Sequence, residues 1–452
     1  MKISCERDAL ACALALCRTL CRAFPDLFWV TLEAREPEEG RLGSLDVSLW
    51  SESSGVGVLA HVAAEVVAPG SVTVPARLTA SALQTMPQCQ IHLSSVVIPD
   101  PTPASHEEWL KPLKGGPALQ MEGTSTTGLK QCTRVRLCAP ASPPAAPSLA
   151  TWQANSIPLA TITPRALREA LEPCVLLTKQ RVKASEETPG MDHGLVLVRF
   201  DPDALVCIAT TRSAVVQSTR AWTHVPGVMP LAHALVEERM LRWLRMALHK
   251  EKRPVTLALV SSPGPAQLLL FSLPHCTLVC RCATVPIPLV WEQRMSAPAS
   301  QVLLLSRPLF LNALDILSAG RAGYATRSLV LSVVDQRLCM QQDPLAHDEQ
   351  VVECQIPIVN SVAESEPVLL PVREVRRILG QMTGPAICLE AGTVLVSQST
   401  GTTGEPVPVA FVRFSTPAEK GVQFLLAVSV ASRTEADAPV SASVQEAALA
   451  SA

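Results

Sequence analysis

Residues 232–253 read AHALVEERMLRWLRMALHKEKR, the strongest helical signal in the chain. Within it Arg239, Arg242 and Arg245 recur every three residues, so a helix here presents them along one face. Five further segments carry the same amphipathic period: Cys5–Ala23, Pro75–Pro87, Pro164–Lys183, Ser306–Arg321 and Pro371–Thr383. Proline stands at or near the start of several, where a first helical turn tolerates it. The odd-numbered helices begin near residues 5, 164 and 306, and the even-numbered ones near 75, 232 and 371. Between them lie alternating, β-branched stretches that read as strands: Val30–Ala34, Val72–Val74, Ile91–Ile98, Gly194–Phe200, Leu205–Ala209, Val255–Val260, Gln267–Leu273, Leu329–Val334 and Phe424–Val430. The order helix, strands, helix, strands therefore occurs three times. This predicts an α+β protein of three similar units, each with two helices on one side of antiparallel sheet. The domains expected are 1–150, 151–297 and 298–431, with loop-like seams at Pro140–Ala150 and Ser296–Ser300. An Ala/Ser/Glu-rich tail is expected over 432–452.

The 452 residues are 48% hydrophobic, enough for several cores, and their formal charge is −2. That total excludes a globally basic nucleic-acid binder but not one that segregates its charges. The six helical windows hold 20 basic and 9 acidic residues, net +11; the remainder holds 18 and 31, net −13. Charged helix faces are ordinarily just solvated. A solvated face normally mixes signs, however, whereas the faces bearing Arg239, Arg242 and Arg245, and Arg373, Arg376 and Arg377, are mostly of one sign. The pattern predicts that the helices face a polyanion while an acidic exterior repels it. With 7 Trp, 8 Phe and only Tyr324 as tyrosine, stacking on single-stranded bases is disfavoured.

Cysteine number is odd at 15, and the residues fall among apolar neighbours, as in a reducing compartment. The densest group, Cys276, Cys280 and Cys282 beside His275, lies in LPHCTLVCRCATV, which reads as a strand placing all three on one buried face. No paired C-x2-C zinc spacing occurs, so core packing is predicted rather than a metal site. No apolar run reaches membrane-spanning length, and MKISCERDAL lacks a signal-peptide layout. A soluble, cytoplasmic protein is expected. Catalytic spacings are absent. GTSTTGLK at 123–130 misses the phosphate-binding loop pattern by one inserted residue, Leu129. His106-Glu107-Glu108 and Asp192-His193 read as solvated loop clusters.

Several stretches together resemble the β subunit of bacterial DNA polymerase III, the β sliding clamp family. MKISCERDALACAL resembles its opening strand and helix, VTLEA at 30–34 with Gly40-Arg41-Leu42 and Ser44-Leu45-Asp46 its first hairpin, and VTVPARLTASAL at 72–83 the entry to its second helix. ALVCIATTRSAVV at 204–216 is similar to its A-T-D-G-x-R-L turn, and Arg281 and Pro288 keep the spacing of its R-L-x-x-G-x-F-P segment. GEPVPVAFVRF and GVQFLLAVSV resemble its terminal strands. The likeness runs thinly from residue 1 to about 430. Its strength lies in the order of the motifs.

The resemblance implies clamp-type domains closed head to tail into a homodimeric ring, with helices inside around double-stranded DNA, held without sequence preference. It also implies no catalysis and no cofactor or metal. The channel lining would be Arg18, Arg22, Arg77, Arg168, Arg239, Arg242, Arg245, Arg373, Arg376 and Arg377. DNA polymerase III and clamp-loader subunits would dock through short peptides in a groove walled by Thr210, Val215, Pro288, Leu426 and Val428. Here the chain departs from the family. Thr211-Arg212 replace its Asp-Gly, Val215 its Leu, Ala427-Val428-Ser429 its Pro-Val-Arg, and Met295 its second proline. The alternative expectation is a divergent, clamp-like interaction scaffold that no longer encircles DNA or binds the usual peptides.

Overall fold

The computed structural model describes the chain except for residues 25, 37–42, 52, 88–89, 99–115, 125–127, 129, 138–154, 179–193, 212–213, 225–232, 250, 262–266, 284–294, 320–327, 343–351, 361–364, 397–406, 418–420, 428 and 431–452. The first repeat runs β1 (Lys2–Glu6), α1 (Arg7–Ala23), β2 (Trp29–Arg35), β3 (Ser44–Ser51), β4 (Val56–Ala68), β5 (Gly70–Pro75), α2 (Ala76–Thr85), β6 (Gln90–Ile98), β7 (Gly116–Thr124) and β8 (Lys130–Arg136). The second runs β9 (Ser156–Ile162), α3 (Pro164–Thr178), β10 (Leu195–Phe200), β11 (Ala204–Thr210), β12 (Ala214–Ala221), β13 (Thr223–His224), β14 (His233–Glu237), α4 (Glu238–Ala247), β15 (Val255–Ser261), β16 (Gln267–Leu273) and β17 (Cys276–Arg281). The third runs β18 (Gln301–Ser306), α5 (Arg307–Ala319), β19 (Ser328–Val334), β20 (Arg337–Gln342), β21 (Glu353–Pro357), β22 (Ser365–Pro371), α6 (Val372–Gln381), β23 (Ala386–Val396), β24 (Val407–Ser415), β25 (Val422–Ala427) and β26 (Ser429–Val430). Strands pair antiparallel, for instance β1 with β4 and β6, β15 with β9 and β16, and β23 with β18 and β24.

The predicted six helices all form, and one boundary needs correction. Among the described residues of AHALVEERMLRWLRMALHKEKR, only Glu238–Ala247 form the helix, and His233–Glu237 form β14. Ala234 and Val236 point into the core, and β14 pairs residue by residue with β10, from Leu195↔Glu237 to Arg199↔His233. Two-residue alternation and sheet pairing win there over helical period. GTSTTGLK spans a hairpin in which Thr124 lies opposite Lys130, so no helix follows to receive a phosphate. The clusters at 106–108 and 192–193, the seam at 140–150 and the tail from 432 lie outside the described residues.

Close contacts divide the chain into two compact units. Unit 1 is Met1–Ala209 with Ser218–Val285, and unit 2 is Thr210–Gln217 with Pro286–Ala452. The first two repeats belong together for a specific reason: β17 pairs with β4 from Cys276↔Ala60 to Cys280↔Val56, making one continuous sheet. The β3–β4 turn closes against the end of this ladder. Gly55, at φ +62°, accepts the Arg281 N–H at 2.7 Å, and a Cβ there would strike the Arg281 side chain. Trp50 and Leu268 pack over the cluster of Ala258, Val260, Leu270 and Val279 on the same sheet.

Unit 2 has its own buried pin. Arg413 on β24 has a side chain only 8% exposed; its Nε bonds Glu390 at 2.7 Å, and its terminal nitrogens donate to the carbonyls of Met295 and Ala297 ahead of β18. The ring of Phe411 lies 5.5 Å below the guanidinium. Each of its three nitrogens makes a hydrogen bond. This fixes the approach into the third repeat.

Cys276, Cys280 and Cys282 are all buried, as the strand reading predicts, and no metal-capable group occurs among the described residues. Burial pushes the Cys5, Cys207 and Cys276 thiols up to about 12, and the Cys21 and Cys282 thiols to about 11. Thiolates are the reactive species, so these groups stay inert near neutrality. Under native conditions at pH 8, iodoacetamide is expected to label exposed Cys12 and Cys132 first, and Cys17, Cys174, Cys207 and Cys280 only on unfolding. Peptide mass mapping checks this, and fast native labelling of Cys280 contradicts it. Replacing Arg413→Ala strands Glu390 and two carbonyls, and is expected to cost about 3 kcal/mol in a denaturant titration.

Candidate nucleic-acid interface

Each helix buries one stripe and exposes the other. On α1 the buried stripe is Leu10, Ala13, Leu14, Cys17, Leu20 and Cys21; on α4 it is Met240, Leu241, Trp243 and Leu244; on α6, Val375, Ile378 and Leu379. In unit 1 the helices touch in the order α2, α1, α4, α3, which makes one layer of four. Trp243 joins the two repeats within that layer. Its indole is 2% exposed, and its Nε1–H donates to the Leu16 carbonyl on α1 at 3.3 Å. Beside it, the Arg239 guanidinium lies 5.7 Å above the Phe24 ring. In unit 2, α5 packs on α6.

The arginines predicted to line one surface are on these helices, but their surroundings differ. Arg22 is exposed in the last turn of α1, and Arg168 is half-buried on α3; neither has an ion-pair partner among the described residues. Arg18 donates to Gln84 Oε1 at 3.3 Å, bridging α1 and α2. Arg77 donates to the Cys21 carbonyl at 3.0 Å, at the C-terminal end of α1 where carbonyls are otherwise unsatisfied. Arg373 is exposed at the start of α6. The others meet carboxylates: Arg242 with Glu238 at 2.6 Å, Arg245 with Glu172 at 3.1 Å, Arg376 with Asp315 at 2.6 Å, Arg377 with Glu374, and Arg239 more distantly with Glu237 at 3.9 Å. Arg377 is the least available. Its side chain is 13% exposed, and burial pulls its pKa below the usual arginine value.

As formed, the six helices carry thirteen basic and six acidic residues, net +7. The sequence windows overshoot because Lys252 and Arg253 follow α4 and the cations of 179–183 lie outside the described residues. Every one of the six helix carboxylates is paired with an arginine: Asp8 with Arg7, Glu169 with Arg165, and Glu172, Glu238, Asp315 and Glu374 as above. The hydrogen bond from Arg165 holds the Glu169 carboxyl below its ordinary pKa. Sequence spacing reveals the i,i+4 pairs Arg165–Glu169 and Glu238–Arg242. It does not reveal Glu172–Arg245 or Asp315–Arg376, which cross between helices.

The predicted groove residues are placed less openly. Thr210 is half-buried at the end of β11, while Val215 and Leu426 are wholly buried side chains of β12 and β25. Their chain neighbours Ala214, Val216 and Leu425 are buried as well, so both faces of these strands are covered. The Thr211 N–H bonds the Ala214 carbonyl at 2.7 Å, closing the turn before β12. Pro288 and Val428 lie outside the described residues.

Three repeats of a strand, a helix, four or five strands, a second helix and three or four strands, with helices layered on antiparallel sheet, find matches among solved structures. The fold is that of a bacterial β sliding clamp. The Caulobacter crescentus pol III beta structure aligns with 95% of this chain and 100% of its own at a TM-score of 0.67 and 17% identity. The Bacillus subtilis DNA polymerase sliding clamp aligns with 96% and 100% at a TM-score of 0.67 and 13% identity. The Pseudomonas aeruginosa DNA polymerase III subunit beta aligns with 95% and 100% at a TM-score of 0.66 and 14% identity. No protein-family model matches the sequence, and no curated protein matches it. Among the described residues, no helix is long and apolar enough to cross a membrane.

In this clamp fold Trp243 has two jobs, filling the helix layer and donating one hydrogen bond. Trp243→Ala is expected to lower stability by about 3–5 kcal/mol, through loss of a large buried ring. Trp243→Phe, which keeps a ring but removes the N–H, is expected to cost only about 1 kcal/mol. Thermal or urea unfolding of the two variants separates the contributions; equal losses would assign the effect to the hydrogen bond.

Proposed function

We propose that this chain is a DNA sliding clamp: a non-catalytic ring of two copies that encircles duplex DNA and tethers a DNA polymerase as it replicates. The observation that carries the reading is the arginine-bearing helix layer, backed by sheet, in a chain with the clamp fold throughout. Diffuse attraction to phosphate positions a duplex without base contacts, so a topologically held ring remains free to slide. In this reading the repeats are three domains, 1–150, 151–297 and 298–431, and the lining arginines, Arg377 least, act electrostatically.

Closure by a second copy follows from the first junction. There, the last strand of the second repeat (β17) adds to the third strand after the first helix of the preceding repeat (β4). The corresponding strands left over are β8, paired with β7, and β21, paired with β20; each has one strand partner among the described residues. Unpaired strand edges are templates for another chain. Exposed Lys130, Arg134 and Arg136 on β8 complement Glu353 on β21. The junction also packs α1 on α4, whose counterparts at closure are α5 and α2. Those two helices carry exposed apolar side chains, Leu309 and Ile316 on α5 and Leu78 on α2.

Polymerase and loader peptides docking near Thr210, Val215, Pro288, Leu426 and Val428 belong to the same reading. The burial of Val215 and Leu426, with Thr211-Arg212 in the turn, favours a second reading for that part: a clamp whose groove takes a different peptide or none.

Two measurements decide the matter. Sedimentation is expected to give twice 48.3 kDa, and a strict monomer at micromolar concentration removes the ring. Once loaded, the protein is expected to remain on circular DNA and leave when the circle is cut, with Arg239→Glu/Arg242→Glu/Arg245→Glu weakening the association. Equal retention on linear and circular DNA would refute encirclement.

A further inference from the structure

The two ion pairs that cross between helices share the position of their carboxylate, while their arginines differ, Arg245 being the eighth residue of α4 and Arg376 the fifth of α6. Glu172 is the ninth residue of α3 and Asp315 the ninth residue of α5, so they occupy the same position in repeats two and three. Each reaches across to an arginine of the second helix of its own repeat, Arg245 at 3.1 Å and Arg376 at 2.6 Å. In the first repeat the ninth position of α1 is Ala15, and the helices are joined instead by a hydrogen bond from Arg18 to the uncharged Gln84 amide at 3.3 Å. The link between helices is thus present in all three repeats, but only two use a carboxylate. A structural tie alone does not require one.

The chemistry of these pairs points to regulation of DNA grip. Glu172, Asp315 and Arg376 side chains are each about half exposed, at 49%, 55% and 54%. Pairs so exposed are weakly held and open readily, so a phosphate oxygen can take the place of the carboxylate. An arginine already neutralised by a carboxylate adds little to counterion release, and after it turns to a phosphate the abandoned carboxylate repels the same backbone.

Resting on the clamp reading, we propose that Glu172 and Asp315 are built-in competitors for phosphate, which weaken the hold of Arg245 and Arg376 on DNA and so keep the duplex free to slide. The ligand they compete with is the phosphodiester backbone.

The test is the salt dependence of binding between the full chain and a short, open-ended, fluorescently labelled duplex, read by anisotropy. Glu172→Gln with Asp315→Asn keeps side-chain shape and removes both competitors. The slope of log K against log salt is expected to steepen by about 0.9 for each arginine released to a phosphate. Glu65→Gln with Glu122→Gln makes the same charge change at exposed strand positions away from the helices, and is expected to leave the slope near that of the parent. The reciprocal variant, Ala15→Glu, places a carboxylate near Arg18 in the first repeat and is expected to make the slope shallower. An unchanged slope in both helix variants, or an equal rise in the strand control, overturns the proposal. Because the duplex is open-ended, this readout does not depend on ring closure. Failure of encirclement shows separately, as equal retention on linear and circular DNA.

Discussion

The short ladder between β4 and β17, from Ala60↔Cys276 to Val56↔Cys280, is the constraint on which the first two repeats depend. Backbone pairing across it merges two sheets into one, so the helices above must lie side by side rather than apart. That registers α1 against α4, lets the Trp243 indole reach the Leu16 carbonyl, and makes one layer of four helices. Gly55 is the local consequence. Its turn approaches Arg281 so closely that no side chain fits, and its positive φ favours a residue without one.

The same layer explains why charge and availability part company. A helix that buries one stripe on a sheet leaves its polar stripe facing outward, and long arginine side chains lie along that surface. Neighbouring helices bring carboxylates within reach, so the outward face becomes a set of ion pairs with a modest positive excess. For diffuse attraction to a polyanion such a face is sufficient, since the excess charge and not any single arginine sets the field. It also differs from a face of free cations, in that a bound polyanion would have to exchange with carboxylates.

Much of the architecture was legible because the repeat is written in period. Six amphipathic stretches, β-branched alternation between them and matched spacing predict three units of two helices on sheet, and the cysteine strand at 276–282 is read correctly as core. The misreading at 232–237 is instructive. ALVE supports either period locally, and only pairing with Leu195–Arg199 selects the strand. Arg377 likewise shares a basic stripe in sequence but is largely buried and paired with Glu374.

What the sequence determined by itself was the sign of the charge on the helices, the number and order of those helices, and the chemical character of each face. These follow from residue type and short-range period, which do not depend on distant partners. Only the tertiary structure decided which arginines are tied down. Glu172 meets Arg245, and Asp315 meets Arg376, across separations of 73 and 61 residues. No local pattern encodes such a pairing, because it is created when two helices are set side by side on a common sheet.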